Sequence, residues 1–354
     1  MTTKKPALAL ASALVAAVIL VGCGSVSANS GASRKSSSHG NNIIIGFSQA
    51  YTGNTWRKLM DKDFVSLANK MKSKGEIAGY DMLDANNSVS TQVSQIDDLI
   101  LKHVSLLIVD PASSSGLNGA IAKANAAGIP VLVVDSGPIN SSIPYELNAN
   151  NPDMTKIEMQ YVAKKLHGRG NVLVVRGIAG NAAEQQFYQG MQAVFHKYPK
   201  LKDVGNVYGN WTESTAESAV AGILPSLPAI NAIETEGGET YGTLQAFKAA
   251  GRSIPPVAIF GNRGPSLQWW CRHNNYHTIS LSTSPWVGAA GLYVAMDILH
   301  GMRVPKNMTM PMLEITNSTH RDYCSVPSNS VAQKAYNNAW VTANIIKKTV
   351  VVSH

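Results

Sequence analysis

The chain has 354 residues, of which 45% are hydrophobic, so it can bury the cores of two domains of ordinary size. Lys and Arg total 30 against 22 Asp and Glu, yet the basic residues form no stripe or helix face of the kind that binds nucleic acid. Length and charge therefore predict a folded, two-domain protein and argue against a nucleic-acid partner.

The N-terminal segment has the pattern of an exported lipoprotein. Two lysines precede an apolar run over residues 7–21, which is too short to span a membrane comfortably. The run ends in Leu-Val-Gly-Cys at Cys23, which resembles the bacterial lipoprotein signal; the alternative is an ordinary secretory leader with a chance cysteine. We predict a signal peptide over 1–22, an acylated Cys23 that anchors the protein outside the membrane, and a flexible Ser/Gly-rich tether over 23–41.

From Asn42 onward, hydrophobic periodicity predicts strands that alternate with helices. The first run has strands at 43–48, 79–83, 106–109 and 130–135 and helices at 55–74, 90–103 and 116–127. Turn formers fill residues 136–152 and predict a break. The second run has helices at 154–167, from 182, 213–224 and 239–250 and strands at 171–176, 204–208, 232–235 and 257–260. A strand at 278–283, a helix at 286–300 and a strand at 312–315 follow. Continuously apolar strands separated by helices are typical of parallel α/β sheets.

Two of the first strands run straight into polar turns. Because the carboxyl ends of parallel strands share one sheet edge, where small ligands bind, these turns should lie together. The first offers Tyr51, Asn54, Trp56 and Arg57, and the second offers Asp110. An aromatic ring, a guanidinium and a carboxylate suit a polyhydroxylated ligand such as a sugar. Structural alternatives stay open: Trp56 as core packing, Arg57 as a solvated helix residue, and Asp110 as a helix cap.

The order and spacing of several segments resemble the sugar-type periplasmic binding proteins, and more narrowly the ribose-binding-like substrate-binding lipoproteins of ABC importers. These segments are IIIGFSQAYTGNTWR, LLIVDPASSSGL, IPVLVVDS, VLVVRGIAGNAAEQQFYQGM, the Trp of GNWT and GAAGLYVAMDILHG. The resemblance implies a type I periplasmic-binding-protein fold, in which two Rossmann-like parallel-sheet lobes are joined by a three-strand hinge and hold the ligand between them.

The resemblance also implies how the chain is divided. Hinge crossings are expected at 148–150, 262–264 and 282–284. The expected parts are an N-terminal lobe at 42–148, a C-terminal lobe at 149–262, a return toward the hinge at 263–283 that lies mostly in the C-terminal lobe, further N-terminal lobe at 284–311, and a C-terminal strand and tail at 312–354.

Carried over position by position, the resemblance implies further ligand residues in the second lobe and the hinge. They are Gln185, Trp211, Glu236, Asn262 or Arg263, and Ser282, with Arg176, Asn181 and Glu184 as nearby substitutes for the residue at Gln185. Two departures are clear. The second-lobe arginine of the family falls at Gln185, and Asp110 is followed by Pro111 where the family often has Arg, a role that Arg57 is expected to take. The scaffold matches while the polar set differs, so a sugar or polyol is expected but its identity is open.

Besides Cys23, the chain has Cys271 and Cys324, and export favours one disulfide between them over two buried thiols. No His or Cys pair has metal-ligand spacing, so neither a metal nor a cofactor is expected. No nucleophile elbow, zinc-protease motif or Walker loop is present, which argues against an enzyme, including a carbohydrate-active one. We expect a monomer in the cell envelope that binds a sugar or polyol and delivers it to the transmembrane subunits of an ABC permease. The alternative is a receptor that presents a ligand for chemosensing or signalling.

Overall fold

The structure is a computed structural model that describes residues 42–348. The predicted signal peptide, the acylation site at Cys23 and the tether lie outside these residues. Within the described part, no helix combines the length and the apolar character needed to cross a membrane.

Strands and helices alternate through most of the described chain. The strands are β1 Ile44–Gln49, β2 Gly79–Asp84, β3 Leu106–Val109, β4 Val131–Asp135, β5 Tyr145–Asn148, β6 Arg169–Arg176, β7 Lys200–Tyr208, β8 Ala232–Thr235, β9 Val257–Ala258, β10 Ser280–Ser282, β11 Asn307–Thr309 and β12 Leu313–Ile315. The helices are α1 Thr55–Ser73, α2 Val89–Leu101, α3 Asn118–Ala126, α4 Asn151–Lys165, α5 Ala182–Lys197, α6 Glu213–Ile223, α7 Thr240–Ala249, α8 Gly264–Arg272, α9 Val287–Leu299 and α10 Asn338–Val341.

The first lobe is built on a six-stranded sheet in the order β11-β5-β4-β3-β1-β2, in which every pair is parallel. α1 packs on one face because Met60, Phe64, Ala68 and Met71, at spacings of four and three, all turn toward the sheet. α9 packs beside α1 in the same core, while α2 and α3 cover the other face. The sheet is thus buried on both faces, as the apolar strands predict.

The second lobe has a four-stranded parallel sheet in the order β7-β6-β8-β9. α4 and α5 lie against one face, and α6, α7 and α8 lie against the other. A disulfide between Cys271 at the end of α8 and Cys324 ties this helix to the C-terminal segment, with Cα atoms 5.9 Å apart. This is the disulfide that we expected from the sequence.

The chain passes between the lobes at places that differ partly from expectation. It crosses between β5 and α4, and again between β10 and α9. The crossing expected at 262–264 does not occur there, because α8 buries Leu267 and Trp270 in the core of the second lobe. The chain instead returns between β11, which extends the first sheet, and β12, which pairs antiparallel with β10.

The C-terminal segment makes a further crossing that the sequence did not indicate. Ala332 lies in the second-lobe core, whereas Val341, Ile345 and Ile346 are buried in the first-lobe core. Between them, Gln333 Nε2 donates a hydrogen bond to Asp63 Oδ2 on α1 at 2.7 Å. Residues 331–348, the described part of the C-terminal tail, therefore span both lobes.

Three further elements were also not predicted, each for a local reason. β5 lies in the turn-rich stretch, and its Tyr-Glu-Leu-Asn sequence lacks an apolar run. β11 reads Asn-Met-Thr and forms only because a parallel neighbour is available. α8 begins with Gly264 and Pro265, which resemble a turn in sequence, but proline is tolerated in the first turn of a helix.

Candidate ligand-binding cavity

A cavity of about 70 Å³ lies between the two lobes, where strands of both sheets end. It is lined by Asn54, Trp56, Arg57, Asp135, Met154, Ala183, Phe187, Trp211, Glu236, Gly237, Gly238, Asn262, Arg263, Leu281, Ser282 and Thr283. These residues come from the first lobe, the second lobe and β10 with the residue after it. The cavity thus depends on both lobes being brought together.

The start of α1 places the polar wall of the first lobe. The Asn54 side chain caps the helix by accepting a hydrogen bond from the Arg57 amide at 2.8 Å. This bond fixes the first turn of α1 and with it the direction of the side chains that follow. The Arg57 guanidinium is only 5% exposed and bridges two carboxylates. Its Nη1 is 2.8 Å from Asp110 Oδ2, and its Nη2 is 2.7 Å from Asp135 Oδ2. Arg57 thereby links the ends of β3 and β4.

Burial and neighbouring charges shift the pKa values of this cluster in opposite directions. Burial alone would lower the pKa of Arg57, but the carboxylates of Asp110, Asp135 and Asp61 raise it overall, so the guanidinium stays charged. Burial raises the pKa of the Asp110 carboxyl to about 7, and Arg57 opposes that rise. A buried guanidinium needs such partners, because an unpaired buried charge is strongly unfavourable.

Trp56 supplies an aromatic surface next to Arg57. Its ring centroid is 4.9 Å from the Arg57 guanidinium carbon, and its Nε1 donates to the Thr283 carbonyl at 3.4 Å. The side chain is half-buried and lines the cavity while it contacts the connection after β10. Trp56 therefore serves as cavity wall and as packing against the hinge.

The second lobe provides a mostly apolar wall with one carboxyl group. Trp211 and Phe187 are buried there with 8% and 7% exposure. Glu236 lies among them, and its Oε2 accepts the Gly177 amide at 2.8 Å. Burial, together with Glu184 and Glu239, raises the pKa of Glu236 well above its ordinary value. When it is protonated, this carboxyl group offers both a donor and an acceptor to a hydroxyl group.

Arg263, Asn262 and Ser282 complete the cavity at the hinge side. Arg263 Nε lies 3.0 Å from Glu213 Oε1, so its charge is already paired. Asn262 Nδ2 donates to the Ala332 carbonyl at 2.8 Å, which joins the cavity to the C-terminal tail. Both arginines that line the cavity thus have carboxylate partners from the protein.

Two hydrogen bonds join the lobes next to α5. Asn181 Nδ2 donates to Asn87 Oδ1 at 3.2 Å, and Gln186 Nε2 donates to the Ser136 carbonyl at 3.4 Å. In each pair one residue belongs to α5 or its cap and the other to a first-lobe turn. The structure therefore shows a closed arrangement of the two lobes.

The structure brings many of the residues expected from sequence to this cavity. They are Asn54, Trp56, Arg57, Trp211, Glu236, Asn262, Arg263 and Ser282. Their shared location does not by itself assign them to a ligand, and that role stays a prediction.

Two of the expected first-lobe residues lie outside the cavity lining. Tyr51 turns back over Gly53, where an added Cβ would lie 2.1 Å from the tyrosine hydroxyl. Asp110 is completely buried behind Arg57, so it orients the guanidinium instead of facing the cavity.

The second-lobe residues around α5 also lie elsewhere. Arg176 Nε donates to Glu184 Oε1 at 2.6 Å, and its guanidinium carbon stacks 3.6 Å from the Tyr188 ring centroid. The charges of Arg176 and Glu184 are thus paired with each other near the start of α5. Asn181 caps α5 and bonds Asn87 of the first lobe, while Gln185 is exposed on the outer face of α5. Helix phase explains the last case, because neighbouring positions point about 100° apart.

Several lining residues were not found from sequence, and Asp135 is the most informative. It ends β4 as a carboxylate directly after a buried strand, the same signal that singled out Asp110 after β3. Gly237, Gly238, Leu281 and Thr283 gave no chemical signal. Met154, Ala183 and Phe187 read as ordinary helix core.

The lining can hold a small polar molecule through aromatic faces and hydrogen-bonding groups. Tryptophan and phenylalanine rings can cover the apolar surface of such a molecule, and Arg, Asp, Asn and Ser groups can form hydrogen bonds with polar groups. Among residues 42–348, no three His, Cys, Asp or Glu side chains are grouped to hold a metal ion.

Known proteins resemble this chain over most of its length. A xylitol-binding protein of Mycolicibacterium smegmatis is 30% identical over 234 residues, which cover 66% of this chain and 67% of that protein. The ribose import binding protein RbsB of Bacillus subtilis is 24% identical over 252 residues, or 70% of this chain and 81% of that one.

A solved structure agrees with these relatives. The ABC transporter solute binding protein from Thermobispora bispora is 30% identical and superposes with a TM-score of 0.82, covering 88% of this chain and 97% of that chain. The family model described as the periplasmic binding protein domain matches residues 45–302, well over half of the chain. Two parallel-sheet lobes around a shared cavity are the architecture expected of such proteins, and the chain belongs to the periplasmic binding protein family.

Proposed function

We propose that this protein binds a sugar or polyol in the cavity between its lobes and delivers it to an ABC permease. The observation that carries the proposal is the lining itself, which combines Trp56 and Trp211 with the Arg57–Asp135 ion pair and the Glu236 carboxyl group. Its relatives support the same class, since their names record xylitol and ribose binding. The role is binding without catalysis, so a bound ligand should be recovered chemically unchanged.

The hydrogen-bonding groups favour an uncharged ligand. Arg57 is paired with Asp110 and Asp135, and Arg263 is paired with Glu213. A ligand carboxylate or phosphate would have to displace one of these protein partners, which leaves a buried carboxylate unpaired at a cost of about 1–3 kcal/mol or more. Neutral hydroxyl groups can bond to the outer edges of the same ion pairs without displacing them.

Thermal-shift screening against pentoses, hexoses and polyols tests this proposal. A ligand that binds only the folded protein raises the melting temperature, by an amount that grows with its concentration relative to Kd. The Trp211→Ala variant should show a clearly smaller shift at the same ligand concentration, because it removes one aromatic wall of the cavity. Trp269→Ala, which removes a tryptophan of the same lobe outside the cavity lining, should keep the full shift. A panel that produces no shift in the unaltered protein would refute the sugar or polyol assignment.

We also propose that the protein acts as a monomer anchored outside the membrane through acylated Cys23. Support comes from the apolar run that ends at this cysteine. Cell fractionation should find the protein with the membrane and the Cys23→Ser variant should no longer be anchored. Retention of the variant in the membrane would argue for a different anchor.

A further inference from the structure

Trp211, which lines the cavity, has a backbone conformation that needs support. Its φ is 51°, and that of the preceding Asn210 is 53°. Left-handed conformations are unfavourable for L-residues, and bulky residues rarely adopt them. Two in succession persist only where the surroundings hold them.

Glu239 provides that support from the neighbouring turn. Its Oε1 accepts the Trp211 amide at 2.8 Å, and the side chain is completely buried. Its stem packs on Gly209, where an added Cβ would lie 2.6 Å from Glu239 Cγ. One carboxyl group thereby joins the turn after β7 to the turn after β8.

The Trp211 ring packs on the backbone of Gly177, and the Gly177 amide bonds to a second carboxyl group, that of Glu236. An added Cβ at Gly177 would lie 2.1 Å from Trp211 Cε2, so only glycine leaves room for the ring. The Gly177 amide donates to Glu236 Oε2 at 2.8 Å. The Trp211 backbone in turn packs on Gly238, where an added Cβ would lie 2.4 Å from the Trp211 carbonyl oxygen. The position of the ring is therefore fixed by the Trp211 backbone conformation and by its packing on Gly177.

We propose that Glu239 is a positioning residue of the cavity. Its hydrogen bond with the Trp211 amide fixes the orientation of the Trp211 ring and so determines which ligands fit. Glu239 does not line the cavity itself. The inference rests on the proposed function only for its effect on ligand choice; its effect on the ring is independent of any ligand. Burial raises the pKa of Glu239 to about 8, so near neutral pH glutamine, which keeps an acceptor oxygen and the shape, is a close substitute.

The ligand-independent test measures the Trp211 ring directly. Protein labelled with 5-fluorotryptophan gives a ¹⁹F NMR signal for each tryptophan, and the signal missing in Trp211→Phe identifies Trp211. Glu239→Ala should shift or broaden this signal, and Glu239→Gln should leave it in place. Glu234→Ala, which removes another completely buried glutamate, on β8, that does not bond the Trp211 amide, serves as the control and should also leave it in place. An unchanged Trp211 signal in Glu239→Ala overturns the proposal.

The second test connects the ring to ligand choice through a double-mutant cycle. With the best ligand of the panel, Glu239→Ala should weaken binding about tenfold or more, and Glu239→Gln by less than about threefold. In the Trp211→Ala background, Glu239→Ala should cause no further loss, because its effect passes through the ring. Additive losses overturn the proposal. If no panel ligand binds the unaltered protein while the ¹⁹F signal responds as expected, the proposed function fails and the positioning role stands.

Discussion

Arg57 illustrates how one residue acquires its role from distant partners. The sequence offered it as a ligand donor or as a solvated helix residue, but the structure shows it buried between Asp110 and Asp135. Those two carboxylates lie 53 and 78 residues after Arg57 in the chain. Only one of them, Asp135, lines the cavity.

This difference gives a prediction with its own matched control. Asp135→Asn should weaken ligand binding by about tenfold, because it removes a charge-assisted hydrogen-bonding group from the cavity wall. Asp110→Asn changes the other partner of the same guanidinium behind that wall, so it should alter the melting temperature more than the affinity. Isothermal titration calorimetry and thermal unfolding of both variants provide the comparison. Equal affinity losses in the two variants would contradict the prediction that Asp135, and not Asp110, contacts the ligand.

At the scale of elements, the strands and helices with strong periodicity were predictable and the short ones were not. The prediction of β3 matches the structure at both ends, and that of α1 differs by one residue at its end. β5, β11 and α10 have three or four residues each, too few for a periodic signal. They exist because neighbouring elements offer hydrogen bonds or an apolar face.

The C-terminal tail is the clearest element of this kind. Residues 303–354 lie beyond the region that the family model matches, yet the tail contributes to the first-lobe core. The Tyr336 ring packs edge-on to Trp286, with centroids 5.6 Å apart, and stacks on Trp340. The tail also bonds Asn262 of the cavity wall, so it connects the cavity to both lobes.

We expect the tail to contribute substantially to stability. Ile346→Ala removes a side chain that is 2% exposed in the first-lobe core and should lower the free energy of unfolding by about 2–4 kcal/mol. Asn338→Ala, at an exposed position of the same segment, should change it by less than about 0.5 kcal/mol. Urea unfolding followed by circular dichroism measures both. A loss below about 1 kcal/mol in Ile346→Ala would mean that the tail is not part of the cooperative core.

At the scale of the whole molecule, buried carboxyl groups should couple stability to pH. Burial raises the pKa of Asp110 from 3.8 to about 7 and that of Glu239 from 4.5 to about 8, and those of Glu158 and Glu234 are also raised well above the ordinary value. The folded chain keeps these protons at a pH where the unfolded chain has released them. Their contribution to stability is therefore complete below the unfolded-state values and is lost as the pH rises through about 7 to 8.

The melting temperature should consequently fall as the pH is raised from 6 to 9, by about 4 °C or more. Glu239→Gln removes one titrating group while it keeps the shape, so its melting temperature should depend less steeply on pH. Differential scanning calorimetry of both proteins across this range provides the measurement. A melting temperature that is constant or rises toward pH 9 would contradict the assignment of raised pKa values to these groups.

The sequence by itself determined the alternation of apolar strands and helices, and hence two parallel sheets with polar turns at one edge of each. These features are local, because periodicity and turn chemistry depend on residues close together in the chain. Which of the polar residues face the cavity was decided only by tertiary structure: Asp135 faces it, Asp110 is hidden behind Arg57, and Gln185 points outward from α5. The physical reason is that a side chain's direction and its buried partners are set by packing between segments far apart in sequence, which no local pattern records.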